Sequence, residues 1–506
     1  MAEHAKTRTK RAKARRAANE PPGQLPPPAG GMLRPLSSSE CARIVRCAFD
    51  ILSDVGIADA PTDLLEPALQ AGGHLNAHDR LCFPQSMVED AVGRAPKSVD
   101  LPEFGGKDGL TIGGAGVHIG TGGAAVQVLQ TKAGEFQDST LQDLYTLMQV
   151  LEVCENIHYG VRPVIARDLA DAFELDINTA FACMKATRKP IGVSFSDPSH
   201  LNTAVAMFDT ALGGEGQFRA HPFCMGVIVH VVPPLRFAGE GCSVLRACVQ
   251  HGMIPQICSA GQAGATSPVT LAGALAQGLA ESFAGLMAVD LTSPGYPCIY
   301  ALMPFISDLR TGAMSGGGGE AAIASAAAAQ LLQHVGLPST VSAGMTDAKV
   351  ADAQAGYEKG YTVALAAHAG ADMINLSVGM LGSIMVASPE ALVIDDDMCG
   401  AILRSVRGVE LSDEALDVDM IKRVVTGEGH YLGEDTTLRR MKTDYVYPRL
   451  ADRQAVQDWI DAGRHTIWDR AEERVSEILA RSDPNHLSRA AEDKIRHALP
   501  IRLAQP

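Results

Sequence analysis

The chain has 506 residues, of which 46% are hydrophobic, 20% charged and only 5% aromatic, with a formal net charge of −15. This balance describes an ordinary globular core. It argues against a nucleic-acid partner, because phosphate contacts need clustered Lys and Arg. No run of about 20 unbroken apolar residues marks a membrane span, and the basic start MAEHAKTRTKRAKARRAANE lacks the apolar stretch of a secretory signal.

Eleven cysteines form no CxxC pair, and most sit in apolar runs. They read as reduced core residues, which rules out a disulfide framework and a zinc site and points to the cytoplasm. No metal is expected.

Residues 1–31 combine a basic cluster with PPGQLPPPAGG, a composition that cannot pack, and are expected to form a disordered tail. Residues 32–110 read as an N-terminal helical cap. SSSECARIVRCAFDILSDVG has a Ser cap and a Gly stop, and FPQSMVEDAVGRAP gives a second short helix.

From 111 to 410, short Val- and Ile-rich runs alternate with helical segments. Strands are expected at 124–130, 157–164, 190–196, 223–232, 254–261, 297–303, 338–344 and 371–379. Helices are expected at about 139–153, 168–187, 199–212, 238–251, 267–289, 319–335, 351–369 and 389–406. Continuous apolar strands imply a sheet buried on both faces. Eight βα units over this length predict an α/β fold, a closed (β/α)8 TIM-type barrel. An open doubly wound sheet would advertise GxGxxG after its first strand, and GGAGVHIGTGG (113–123) lacks that spacing. Residues 411–506 read as a C-terminal helical region with charged faces, covering one side of the barrel or an interface in a homo-oligomer.

Catalysis in such barrels sits where strands end and βα loops begin. That rule selects Arg162, Asp197, His230, Gln262, Tyr300, Met303, Phe305, Asp347, Lys349, Asn375 and Ser377. The richest tip is SAGMTDAKVADAQAGYEKGY (342–361), where Asp347 and Lys349 are followed by Gln354, Tyr357 and Glu358. Asp347 could equally cap a helix while Lys349 is solvated. Gly316, Gly317, Gly318 and Gly319 precede a helix and could offer amides to an anion. His158, His230 and Cys258 lack metal spacing. No nucleophile elbow supports a Ser–His–Asp triad.

The run GAMSGGGGEAAIASAAAAQLLQHVGLPSTVSAGMTDAKVADAQAGYEKGYTVALAAHAGADMI resembles the trimethylamine methyltransferase superfamily. So do SPEALVIDDDMCGAILRSVRGVEL (388–411) and GEGHYLGEDTTLRRMKTDYVYPRLADR (427–453), and the likeness spans roughly 36–480. The resemblance implies a TIM-type barrel, a small methylated-amine substrate, and a cognate corrinoid protein whose cobalamin accepts the methyl group. Archaeal trimethylamine members carry pyrrolysine, whereas this sequence has only the twenty standard residues. It therefore looks like the non-pyrrolysine branch, with a glycine betaine-like donor.

A quaternary ammonium can pass its methyl to Co(I) by in-line displacement, leaving a neutral amine, so no general acid is needed. On this reading Asp347, Lys349 and Glu358 are the catalytic candidates. Tyr300, Phe305, Tyr357 and Phe195 offer ring faces worth about 0.5–2 kcal/mol each to a cation, with Gln354 beside them. Arg162, His230 and Gly316–Gly319 are candidates for a carboxylate or a corrinoid phosphate. Two other readings remain open: a Schiff-base lyase or aldolase using Lys349, and a non-catalytic binding barrel.

Overall fold

The computed structural model describes residues 30–505, except 107, 115, 131, 377 and 482–485. The expected tail therefore lies outside the described residues, apart from Gly30 and Gly31. The Gly31 amide donates to the His368 carbonyl at 2.9 Å.

Eight parallel strands form the central sheet. They are β1 (His118–Ile119), β2 (Gly160–Val161), β3 (Ile191–Val193), β4 (Cys224–Val229), β5 (Ile254–Ser259), β6 (Ile299–Leu302), β7 (Ser339–Ser342) and β8 (Met373–Asn375). Each is followed by a helix: α1 (Leu141–Glu152), α2 (Ala172–Ala186), α3 (Pro198–Leu212), α4 (Gly239–His251), α5 (Leu271–Thr292), α6 (Gly319–Val335), α7 (Ala353–Ala369) and α8 (Pro389–Val406). Strand β8 pairs with β1 through Met373↔His118 and Ile374↔Ile119, and a Gly120↔Tyr159 bridge joins β1 to β2. The ring is closed, as the alternation predicted.

One strand was misplaced by the sequence reading. The first barrel strand is His118–Ile119, inside the glycine-rich stretch considered only as a failed phosphate turn. Gln127–Leu129, within the expected strand 124–130, instead pairs antiparallel with Phe136–Asp138 and parallel with Val386–Ala387. It joins a four-stranded sheet built partly from the loop after β8.

The segment before the barrel supplies three helices and a floor. Ser37 caps the helix Ser38–Asp50 in a reciprocal box with Glu40, so both ends of that cap satisfy an otherwise orphaned amide. Its Phe49 stacks on Phe283 of α5, with ring centroids 5.3 Å apart. The hairpin Val99–Pro102/Gly109–Ile112 places Val99, Leu101 and Ile112 among Tyr159, Met225, Ile254, Ile299 and Met373, closing the base of the barrel.

Helix α5 is long and apolar enough, by length and composition, to cross a bilayer, which the sequence reading did not anticipate. Every residue from Ala274 to Asp290 is buried. Small residues such as Gly278 and Gly285, whose added Cβ atoms would strike Leu302 and His230, let it lie close against the strands. All eleven cysteines are free, and Cys47 alone is exposed.

After α8 the chain continues through α9 (Val418–Thr426), α10 (Asp435–Thr443), α11 (Val456–Asp461), α12 (Ile467–Arg481) and α13 (Arg489–Ala498). Trp468 at the start of α12 packs among Leu129, Ala348, Ala355, Leu381 and Ala391, so it buttresses the loops that follow β7 and β8.

Candidate active site at the barrel mouth

Alternation along each strand decides which side chains enter the barrel. Met225 and Val227 of β4 point inward, as do Gln256 and Cys258 of β5. Met225 joins the base cluster, Val227 touches it, and Cys258 sits above in a second cluster with Ala301, Met303, Met345 and Leu376. Phe305, Ile384 and Ala260 pack against this upper group. The strand ends at the mouth, called the cup below, are therefore lined by an apolar cluster.

A polar belt lies between base and cup. The Tyr159 hydroxyl donates to Asn375 Oδ1 at 2.5 Å, Asn375 Nδ2 donates to Gln256 Oε1 at 3.2 Å, and Gln256 Nε2 donates to Thr340 Oγ1 at 3.0 Å. Burial raises the Tyr159 hydroxyl pKa well above its ordinary value, so the phenol stays protonated. Ser342 shares its register with Asn375. Its buried hydroxyl has no hydrogen-bond partner among the described residues.

The loops around the cup are tied together by carboxylates. Asp347, after β7, accepts from Ser315 Oγ at 2.8 Å, the Gly316 amide at 2.8 Å and Ser383 Oγ at 2.5 Å. One side chain thus joins the loops after β6, β7 and β8. Burial pushes its pKa up, but the bonds from Ser383, Gly316 and Ser315 outweigh that and hold it below the ordinary value. Glu358 of α7 is buried and accepts from Thr346 Oγ1 at 2.5 Å, the Asp347 amide at 2.8 Å and Gln354 Nε2 at 2.9 Å.

The glycine loop closes over this cluster. A Cβ on Gly317 would lie 2.2 Å from Glu358 Cδ and one on Gly316 2.6 Å from Met345 Cβ, so larger residues cannot take this path. The Tyr361 hydroxyl donates to the Gly317 carbonyl.

The backbone after β8 is strained as well. Leu376, Ser383 and Ile384 all have positive φ, at 64°, 55° and 67°, and for a β-branched residue this is rare. Strain of this sort persists where surroundings over-determine it, often at functional sites. The surroundings are visible here: the Ser383 amide donates to the Thr346 carbonyl and the Gly382 amide to the Ala348 carbonyl, both at 2.7 Å.

The expected site residues separate into two groups. Asp347, Glu358, Gln354 and Gly316–Gly319 come together at the rim, and Phe305 borders the cup. Tyr357 is 61% exposed, on the outer side of α7. The Gly316 amide, offered as part of an anion site, is taken by the chain's own Asp347. Lys349 is exposed and its amine donates to the Asp347 carbonyl at 2.6 Å. A Schiff-base lysine needs a desolvated amine, so the geometry disfavours that reading.

His230, Tyr300 and Phe195 face the helices, not the mouth. His230 Nε2 bonds the Glu281 carbonyl on α5 at 2.8 Å, and burial pushes its imidazole down to about 4. Tyr300 and Phe195 belong to the layer between strands and helices. Arg162, beyond β2, is half-buried, and burial lowers its pKa against the pull of Asp176 on α2. Asp197 caps α3 through the Ser199 amide, and Ser377 lies outside the described residues.

The tip rule named positions without fixing which face each occupied, and it passed over Gln256, Ser315, Thr340 and Ser383. Counting alternate residues back from the polar Gln256 and Asn375 would have found the inward phase. Nothing in the sequence ties Ser315 or Ser383 to Asp347, since they lie 32 and 36 residues away.

A closed parallel barrel with an apolar cup at its strand ends defines an enzyme scaffold for a small ligand. The model of the trimethylamine methyltransferase family matches residues 4–504. The chain belongs to that family and is a methyltransferase. It is 32% identical to the trimethylamine methyltransferase of Methanosarcina thermophila, over 89% of this chain and 93% of that one. It is 27% identical to the glycine betaine methyltransferase of Desulfitobacterium hafniense (strain Y51), over 91% of this chain and 95% of that one. Among solved structures, the monomethylamine methyltransferase of Methanosarcina barkeri covers 89% of this chain and 95% of its own, at 13% identity with a TM-score of 0.45.

Proposed function

We propose that this chain takes a methyl group from a quaternary amine, glycine betaine or a related betaine, and passes it to the cobalt of a cognate corrinoid protein in the cytoplasm. The observation that carries the choice of donor is the chemistry of the cup. Apolar Val, Cys, Ala, Met and Leu side chains cluster there, above a belt of amides and hydroxyls. Burial pushes the Cys258 thiol up to about 12, so it stays protonated. Asp347 and Glu358 are occupied as hydrogen-bond acceptors. Such a cup suits a donor that leaves as a neutral amine without needing a proton.

The mouth also fits a broad apolar partner face. Val229, at the end of β4, and Leu309 and Met385, beyond β6 and β8, are all exposed. Bound there, the partner's corrinoid supplies a Co(I) nucleophile. The chain's own residues then bind, orient and exclude water. Phe305 presents a ring face to the ammonium. Ser342 Oγ offers a hydroxyl to a substrate oxygen. Met303, Met345 and Leu376 keep water out, which strengthens each polar contact inside. Asp347 and Glu358 keep the rim loops in register, so that the methyl is held on line.

Mixing the protein with reduced cob(I)alamin and a panel of betaines and methylamines tests the reading. Appearance of methyl-Co(III) absorbance with a quaternary donor supports it. Transfer from trimethylamine alone overturns the choice of donor, and no transfer from any amine, even with a cognate corrinoid protein present, overturns the whole.

A further inference from the structure

We infer that Leu376 sets how much bulk the donor nitrogen can carry. Its side chain walls the cup so that an ammonium head bearing methyl groups is admitted and one bearing an ethyl group is turned away. Leu376 has this role only if the cup holds the donor, as proposed above.

The alternation of β8 breaks at this residue. Met373 belongs to the base cluster inside the barrel, Ile374 to the layer between strands and helices, and Asn375 to the polar belt. Regular alternation would turn the next side chain towards the helices. Leu376 instead lies with Cys258, Ala301, Met303 and Met345 in the upper cluster, 7% exposed. Its φ of 64° accompanies the reversal, so two successive side chains face the mouth.

That conformation is a costly one for leucine. In the left-handed region Cβ crowds the following carbonyl, and only glycine, with asparagine or aspartate at times, visits it routinely. A turn alone would be better served by glycine, as at Gly379 and Gly382 in the same loop, with φ of 72° and 55°. What leucine adds is a branched apolar group delivered to the cup. Ile384, strained in the same way with φ of 67°, packs against the same cluster.

The glycine-rich stretch after β1 is shaped around that side chain. A Cβ on Gly122 would lie 3.1 Å from Leu376 Cδ2, and one on Gly123 2.6 Å from Met380 Sδ and 3.6 Å from Leu376 Cδ2. The run GGAGVHIGTGG, which lacks the spacing of a dinucleotide turn, thus serves as the seat of a leucine. Within the cluster, Cys258 and Ala301 are small, and Met303 and Met345 are unbranched and adapt to what they touch. Leu376 is branched and held by its backbone, so it is the part of the wall that does not yield.

Donors that differ by one methylene on nitrogen test this: glycine betaine against N-ethyl-N,N-dimethylglycine, and trimethylamine against N,N-dimethylethylamine. One methylene in an apolar pocket is discriminated by about 10–200-fold. With cob(I)alamin as acceptor, the wild-type chain should prefer the compact member of the pair it uses at least about tenfold in kcat/KM, and Leu376→Ala and Leu376→Gly should reduce that preference to about twofold or less. Donor binding, read from the concentration that raises the unfolding temperature, should give the same preference without turnover. Leu376→Gly should unfold at a higher temperature than Leu376→Ala, because glycine adopts this φ freely. A preference unchanged in both variants, with both donors of a pair falling alike, would overturn the inference, as would an Ala variant more stable than the Gly variant. Use of the tertiary pair alone would overturn the choice of donor made above, while a preference for the compact amine that is lost in the variants would still support the role of Leu376. Binding of none of the four donors would overturn both.

Discussion

Lys359 and Asp395 form an ion pair of 2.5 Å with side chains only 2% and 5% exposed. The partners come from α7 and α8, and Asp395 Oδ2 also accepts the Gly379 amide at 2.8 Å. The pair thus joins two of the stretches that carry the family resemblance, and fixes the start of the strained loop after β8. Breaking one side of such a pair leaves an uncompensated buried charge, at about 3–5 kcal/mol. Lys359→Met should lower stability by that order in denaturant unfolding, whereas Lys359→Met/Asp395→Leu should recover much of the loss. A loss in the double variant equal to the sum of the two single losses would show that the charges are not coupled.

Asp347 is assigned a positioning role. Asp347→Ala leaves Ser315 Oγ, Ser383 Oγ and the Gly316 amide without their acceptor, at about 1–3 kcal/mol for each buried group, and should lower methyl transfer about a hundredfold. Asp347→Asn keeps an acceptor oxygen and should retain roughly a tenth of the activity or more, with the pH profile of kcat unchanged. An Asn variant as dead as the Ala variant, with a lost limb in that profile, would instead make Asp347 an acid or base.

Gly317→Ala places a methyl carbon against the Glu358 carboxylate. Overpacking of this kind costs about 1–3 kcal/mol, and here it also pushes the rim loops apart. Thermal unfolding should shift down and the substrate KM should rise. A variant indistinguishable from wild type would mean that Glu358 is free to move.

Lys349 is solvated and its amine is spent on the Asp347 carbonyl, so Lys349→Met should keep kcat/KM within about threefold of wild type, under about 1 kcal/mol of transition-state stabilisation. Borohydride should trap no carbonyl adduct on the wild-type chain. A dead Lys349→Met variant would revive the amine chemistry.

His230 is held neutral, with its pKa pushed down to about 4 from 6.5 by burial. Because the folded value is depressed, the unfolded chain binds the proton first as pH falls. The contribution of this residue to stability is complete above about 6.5 and is lost towards 4, at up to about 1.4 kcal/mol per pH unit. Urea unfolding between pH 7 and 4.5 should give a shallower slope for His230→Gln than for wild type. Parallel slopes would contradict the assignment.

The barrel was legible because βα alternation needs only hydrophobic periodicity and turn residues. Seven strands and all eight barrel helices fall at or within a few residues of where the pattern puts them. His118–Ile119 escaped because a two-residue strand flanked by glycines carries no periodicity. The site was less legible for a physical reason. Strands buried on both faces are apolar throughout, so nothing in β6 told Tyr300, which faces helices, from Ala301, which faces the cup. Asp347, Gln354 and Glu358 were readable together because they lie within one short stretch of the chain, from the tip of β7 into the first turns of α7. Their partners Ser315 and Ser383, and the Lys359–Asp395 pair, depend on the closing of the ring.

The central claim is that methyl transfer takes place in the cup above Asn375, and Ala301→Leu tests it most directly. Ala301 points into the cup from β6 and is buried, so a larger side chain fills the space assigned to the methyl donor without touching the rim carboxylates. With cob(I)alamin as acceptor, kcat/KM should fall at least about a hundredfold, or about 2.7 kcal/mol in transition-state stabilisation, while the unfolding temperature stays close to wild type. A variant that folds normally and transfers methyl at the wild-type rate would place the chemistry elsewhere.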